Sequence, residues 1–297
     1  MIQRVFSASR SSLQDEAEAL SAALPPLMVE AERLASAVSL GIHGRRKAGM
    51  GESFWQFRRF RAEDPSTAVD WRQSAKSQHL FVREREWEVA QSVWFWRDGS
   101  PGMRFKSGTV TKLERASLIA LALASALVRG GERVALFGEG HAPSSSRAAL
   151  RRMGHALGSE PSDTSLPPEG PVSRNAQFVW LSDFLSPMAA IETALRRLTQ
   201  SGLSGHLIHI IDPAEEEFPY EGRTRFEAPG QQTHEILGRA ESVGPAYRAR
   251  FKAHTEMVAM LAGRLGWTYL AHRTDKPPQT TLIALYAEMS GASRIRI

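Results

Sequence analysis

Cysteine is absent from the 297 residues. Its absence excludes disulfides, thiolate metal sites and a cysteine nucleophile, and it agrees with a reducing compartment. Long apolar runs are also missing. A membrane-spanning helix needs roughly 18–20 apolar residues, and the best candidate, residues 118–128, is shorter and contains Ser125. The first residues lack the basic-then-apolar layout of a signal peptide. The expectation is a soluble, cytoplasmic protein with no membrane insertion. Catalytic signatures are scarce. The nine histidines are scattered, without His-Glu-x-x-His spacing. Gly138-Glu139-Gly140 has no Lys-Ser/Thr behind it, and no Gly-x-Ser-x-Gly elbow occurs. No catalytic residue and no organic cofactor is assigned.

The composition is that of an ordinary globular protein, with 42% hydrophobic and 23% charged residues. The length can bury one large domain, or a domain with an appendage. Net charge is +5, and it is unevenly spread. Between Arg45 and Trp87 lie eight Arg and two Lys against six acids, a net +4. A basic block of this kind calls for an acidic partner surface, a nucleic acid or a membrane face.

Periodicity divides the chain into three parts: a helical segment at 1–43, a β-rich basic block at 44–88 and an alternating α/β region at 89–297. Residues 13–40 carry apolar side chains at helical spacing, broken at Pro25-Pro26. Residues 53–60 and 79–87 read as strands, and Ala62-Glu63-Asp64-Pro65 as a turn. From residue 91 strands alternate with helices. The strands are 93–96, 133–137, 178–181, 206–211 and 267–270. The helices are 109–128, 146–157, 188–198, 246–265 and 283–289. A hairpin flanks Pro229-Gly230. This rhythm predicts a doubly wound, mostly parallel sheet covered on both faces. Residues 158–175, rich in Pro, Ser and Gly, form a long loop with a functional or mobile character. The stretch after Asp212 reads as irregular, with Glu215, Glu216 and Glu217 a solvated run.

The apolar run 93–96 ends at Asp98-Gly99-Ser100-Pro101-Gly102-Met103. Asp98 and Ser100 thereby place hard oxygen ligands at the carboxyl end of a buried strand, where open α/β folds bind ligands. The run resembles the Asp-x-Ser-x-Ser metal motif of von Willebrand factor A-type domains, with Gly102 in place of the second Ser. In the basic block, Arg58, Arg59, Arg61, Arg72 and Arg83 sit among Phe54, Trp55, Phe57, Phe60, Trp71 and Phe81. Such interleaving can hold single-stranded nucleic acid. Arg also packs on aromatics and pairs with nearby acids, and that structural role is preferred here.

Several ordered motifs carry a wider resemblance. Gly49-x-Gly51-Glu52-Ser53-Phe54 is followed by Phe60-Arg61-Ala62-Glu63-Asp64, then Asp70-Trp71-Arg72-Gln73-Ser74-Ala75, then Leu80-Phe81-Val82-Arg83-Glu84. Ser182-Asp183-Phe184 and Asp212-Pro213-Ala214-Glu215 come later. Together these resemble the DUF58 family over roughly residues 40–290. The resemblance implies a von Willebrand A-like domain with Asp98, Ser100 and Asp183 as ligands of Mg²⁺ or Mn²⁺. Ser144, Ser145 and Ser146 are stand-ins for a missing Thr. Glu52, Arg61, Asp64, Asp70, Trp71 and Arg72 are family-motif or docking residues. The resemblance also implies work beside a MoxR-type AAA+ ATPase and its client, in assembling or activating protein complexes.

The expected function is therefore a non-enzymatic interaction adaptor that docks a protein partner at a degenerate metal-ion-dependent adhesion site. The alternatives are a metal-assisted hydrolase using Asp98 and Asp183, and a nucleic-acid-binding protein working through residues 45–87.

Overall fold

The computed structural model describes residues 31, 33–36, 54–60, 69–77, 79–85, 90–173, 175–227, 229–230 and 233–289. The chain divides into two compact units, residues 43–90 and the remainder. Glu52, Arg61, Asp64 and the turn at 62–65 lie outside the described residues, as does most of the helical segment 13–40.

In the small unit, strand β1 (Phe54–Arg59) pairs antiparallel with β2 (Phe81–Arg85). The ladder sets Phe57 opposite Arg83 and Arg58 opposite Val82. A single helical turn, α1 (Trp71–Ser74), lies between them in sequence. The Ser74 hydroxyl donates to the Asp70 carbonyl at 2.7 Å and accepts from the Phe81 amide at 2.9 Å. The Asp70 amide donates to the Phe81 carbonyl at 2.8 Å. These bonds fix the Asp-Trp-Arg turn against β2. Trp71 is left 65% exposed, and Arg72 is exposed as well.

The large unit is built on five parallel strands. In chain order they are β3 (Ser92–Arg97), β4 (Arg133–Leu136), β5 (Gln177–Ser182), β6 (Ser204–Ile211) and, after a small hairpin, β9 (Thr268–Arg273). Their spatial order is β4-β3-β5-β6-β9. The hairpin is β7 (Thr224–Glu227) with β8 (His234–Leu237), paired antiparallel. The crossover helices are α2 (Lys112–Arg129), α3 (Arg147–Gly158) and α4 (Met188–Gln200). The last crossover holds α5 (Pro213–Glu217), the hairpin and α6 (Gly244–Arg264), and α7 (Pro278–Met289) follows β9. Parallel strands buried on both faces read as continuous apolar runs, and β3 does so.

Successive side chains of β3 point to opposite faces. Val93 and Phe95 join α2, α3 and α7 in one core, with Ala31 and Leu34. Trp94 and Trp96 join α4 and α6 in the other. Edge-to-face pairs, Trp94 with Phe137 and Trp96 with Trp180, fill the second core. Helix α2 is apolar nearly all round because its neighbours cover it on several sides. A capping box at Thr111 and Glu114 starts it. Gly205 is dictated by close approach, since a Cβ there would lie 1.9 Å from the Phe178 carbonyl oxygen.

The doubly wound α/β architecture is as the sequence rhythm predicts. Two details differ. The stretch after Asp212 is helix α5, opened by a second capping box in which Asp212 and Glu215 satisfy each other's amides. Residues 159–173 have no regular structure, but they are pinned. The Gly99 amide donates to the Thr164 carbonyl at 3.0 Å, Arg104 pairs with Asp163 at 2.8 Å, and Arg197 donates to the carbonyls of Pro167 and Pro168.

Candidate functional site at the β3 and β5 rim

Strand order reverses between β3 and β5, because β4 lies on one side of β3 and every later strand on the other. Open α/β sheets bind ligands outside the carboxyl ends of the strands at such a switch point. Here each of three strands delivers an acid to that rim: Asp98 after β3, Asp183 after β5 and Asp212 after β6. All three are buried.

Asp98 is enclosed. Its Oδ1 accepts from the Ser100 amide at 2.8 Å, and its Oδ2 accepts from the Ser182 hydroxyl at 2.6 Å. Burial, with the nearby Asp183 charge, pushes its carboxyl up to about 6 against the hydrogen bonds from Ser182 and Ser100. Gly99 is required because the loop runs directly over it. A Cβ there would lie 2.1 Å from the Ser162 carbonyl oxygen.

Asp183 accepts from the Leu185 amide at 3.1 Å through Oδ1. Its Oδ2 meets the Lys112 ammonium at 2.9 Å. The same ammonium meets Glu215 Oε1 at 2.5 Å. The Lys112 side chain has no solvent exposure. Burial alone would lower its pKa, but Asp183 and Glu215 outweigh burial and hold it above the ordinary lysine value. One ammonium is shared between two carboxylates. Burial, helped by Asp183, leaves Glu215 above the usual carboxylate range in spite of Lys112. Asp212 completes the network. It accepts from the Ser107 amide at 2.9 Å, the Ser107 hydroxyl at 2.5 Å and the Ala214 amide at 2.9 Å.

Above this floor opens a cleft of about 420 Å³, lined among others by Ser100, Gly102, Asp183, Leu185 and Glu215. Its wall is an aromatic cluster. Phe218 stacks on Phe226 at 5.6 Å and contacts Tyr220 and Tyr247. Burial, together with Glu215 and Tyr220, pushes Tyr247 up to about 12. Two residues at this rim, Phe184 (φ 49°) and Phe218 (φ 50°), adopt the left-handed conformation, which costs a non-glycine residue about 1–3 kcal/mol. Packing holds Phe184 there: it is buried against Trp180 and His209, and its carbonyl is 2.7 Å from His254 Nε2.

The structure brings Asp98, Ser100 and Asp183 together. It separates them from the three serines proposed as stand-ins. Ser144 exchanges both backbone hydrogen bonds with Val134. Val134 pairs with Val93, five residues before Asp98, which is about 16 Å along a strand. Ser146 caps α3. The expectation that Ser144, Ser145 or Ser146 completes the ligand set is corrected on that ground. The solvated reading of the glutamate run holds for Glu216 and Glu217, which are exposed and pair with Arg273 at 2.7 Å each, and is corrected for Glu215, which holds Lys112. His206 and His209 are buried in β6 and bonded to Thr268 and Tyr269, and burial keeps both neutral near pH 7.

The donors at the rim do not fit a divalent cation. Mg²⁺ needs about six oxygens at about 2.1 Å. Asp183 Oδ2 faces the Lys112 ammonium instead of an open position, and Asp98 is buried and closed off by Ser100 and Ser182. A Cβ on Gly102 would lie 3.0 Å from Asp183 Oδ2 and 3.9 Å from Ser100 Oγ, so the missing hydroxyl is missing from the centre of the site. Among the described residues no three His, Asp or Glu side chains converge as a metal cage.

A family model described as "Protein of unknown function DUF58" matches residues 56–257. The chain belongs to the DUF58 family. No curated protein matches the DUF58 chain. The solved structures that it resembles include three. An aerotolerance-related membrane protein from Bacteroides fragilis NCTC 9343, carrying multiple mutations to serine, is 15% identical with a TM-score of 0.43. That overlay covers 68% of this chain and 99% of the other. The conserved hypothetical protein BatB from Bacteroides thetaiotaomicron is 13% identical over the same shares, with a TM-score of 0.37. An uncharacterized membrane-spanning protein from Vibrio fischeri is 12% identical over 69% and 99%, with a TM-score of 0.20. Among the described residues of this chain no helix is long and apolar enough to cross a membrane.

Proposed function

We propose that this DUF58 chain is a non-enzymatic interaction module of von Willebrand A-like architecture. It docks a protein partner in the cleft at the β3 and β5 rim, and works with a MoxR-type AAA+ ATPase on the assembly or activation of protein complexes. The observation that carries this reading is the cleft itself. It lies at the switch point, and it pairs an aromatic wall with Leu185, which is 51% exposed. Exposed apolar groups beside a preorganised polar floor suit a partner side chain. The floor is locked by buried hydrogen bonds and ion pairs, so little ordering accompanies docking. Family membership supports the ATPase partnership.

A metal-assisted hydrolase using Asp98 and Asp183 is the second reading, favoured by the raised carboxyl of Asp98. Against it, Asp98 is 1% exposed and closed off by Ser182 and Ser100.

The test is affinity capture from native lysate with the full chain and with Leu185→Asp, read by mass spectrometry. An AAA+ ATPase recovered by the wild type and lost from the variant is the expected result. Equal recovery by both would remove the cleft from the reading. Absence of any AAA+ ATPase would remove the partnership. Hydrolytic turnover lost in Asp98→Asn would install the enzyme instead.

A further inference from the structure

We propose that the Lys112 ammonium replaces the divalent cation at this rim, so that the site is a permanently charged, metal-independent relative of a metal-ion adhesion site. The argument starts from position. Lys112 opens α2 and reaches the end of β5 at Asp183 and the start of α5 at Glu215. It therefore crosslinks the switch-point strand to the neighbouring crossover, the task that a shared ion performs. Its contacts are those of a small cation: two carboxylate oxygens, at 2.9 and 2.5 Å, with the Phe105 ring 5.9 Å away.

Two further observations agree. Gly102 lacks the hydroxyl that would complete an oxygen cage, and its missing side chain would face the carboxylate that Lys112 holds. Helix position is the second. Lys112 is the first residue of α2, where the helix dipole disfavours a positive charge. An ammonium placed there with no solvent exposure has its compensation in Asp183 and Glu215. A dication at Asp98 and Asp183 would have to sit beside this ammonium, and like charges in a desolvated site repel strongly. A partner carboxylate consequently finds no ion to coordinate at this rim. The inference stands whether or not the cleft docks a protein.

The test is metal binding by the purified full chain after EDTA treatment and desalting. Mn²⁺ is titrated to about 1 mM, the weak end of protein cation sites, with free ion followed by electron paramagnetic resonance. Thermal midpoints are compared in Mg²⁺ and in EDTA. The wild type is expected to bind no stoichiometric Mn²⁺ and to unfold at the same temperature in both. Lys112→Ala is expected to gain a Mg²⁺-dependent rise, about 3–5 °C when the ion is at ten times its dissociation constant. Stoichiometric Mn²⁺ binding by the wild type that is lost in Asp183→Asn would overturn the proposal. A folded Lys112→Ala indifferent to Mg²⁺ would overturn it too, leaving Lys112 as an ordinary ion pair. If Lys112→Ala does not fold, Lys112→Gln is the second variant; if neither folds, the wild-type titration decides alone.

Discussion

Lys112→Met, which deletes the ammonium and keeps most of the volume, should cost more than any surface substitution in this chain. Lys112 touches Asp183 at 2.9 Å and Glu215 at 2.5 Å, with side-chain exposures of 0%, 6% and 14% across the three groups. At an effective dielectric of about 20, each contact is worth about 6–7 kcal/mol before desolvation. Desolvation of all three groups cancels much of this, so the intact network adds little. Removing only the cation is different, because two carboxylates stay in place without compensation. The expected loss is about 3–5 kcal/mol at pH 8. At about 2–4 °C per kcal/mol for a unit of this size, the midpoint falls by roughly 6–20 °C.

The loss should also depend on pH. In the variant, Glu215, already raised by burial, loses the ammonium that held its pKa down. Its protonated form then supports the fold at pH values below the unfolded pKa, and that support is lost as pH rises through the folded pKa. The deficit is therefore largest at pH 8 and shrinks toward pH 5. Urea unfolding followed by circular dichroism at the two pH values measures it. A loss below about 1 kcal/mol, or one of equal size at both pH values, would refute the reasoning.

Asp98→Asn should behave in the opposite way. The rise of this carboxyl from 3.8 to about 6 by burial means that its ionisation opposes folding above pH 6, by about 3 kcal/mol at most. The amide removes that term and gives up about 1 kcal/mol of hydrogen bonding with Ser182. Thermal unfolding should thus show a gain at pH 8 and none at pH 5, and a loss at pH 8 would contradict the assignment. Gly99→Ala drives a methyl to within 2.1 Å of the Ser162 carbonyl, which should lift the 158–175 segment and cost about 1–3 kcal/mol. Limited proteolysis mapped by mass spectrometry should find faster cutting there, with the rest of the chain unchanged. Thr111→Ala removes the N-cap of α2 and should cost about 1 kcal/mol in urea unfolding.

Much of the fold was legible because its signals are local. The run 93–96, the strand-then-helix rhythm from residue 91 and the turn residues at Asp98-Gly99-Ser100-Pro101 needed no partner to be read. Asp98 was legible as a rim residue for the same reason, since it ends an apolar run; Asp183 was reached through the resemblance to the DUF58 family. Lys112 escaped notice, and Glu215 was read only as part of a family motif and of a solvated run. Lys112 stands 71 residues from Asp183 and 103 from Glu215, and no periodicity links them. A signal was nonetheless present. A lysine just inside a Thr-x-x-Glu capping box opposes the helix dipole, and Asp212-x-x-Glu215 is a capping box within the acidic run. The placement of Ser144 failed for a related reason. Composition shows a loop of small residues, but only the bridge to Val134 fixes which end of the sheet it covers.

By itself the sequence determined the α/β class, the strand and helix series, and the acid that closes β3, since hydrophobic periodicity and turn chemistry act between near neighbours. Tertiary structure alone decided the strand order β4-β3-β5-β6-β9 and the switch point it creates, because a crossover can pass to either side of a strand without changing the local pattern. It also decided that the Lys112 ammonium is buried between two carboxylates from distant segments, a contact that no local pattern announces.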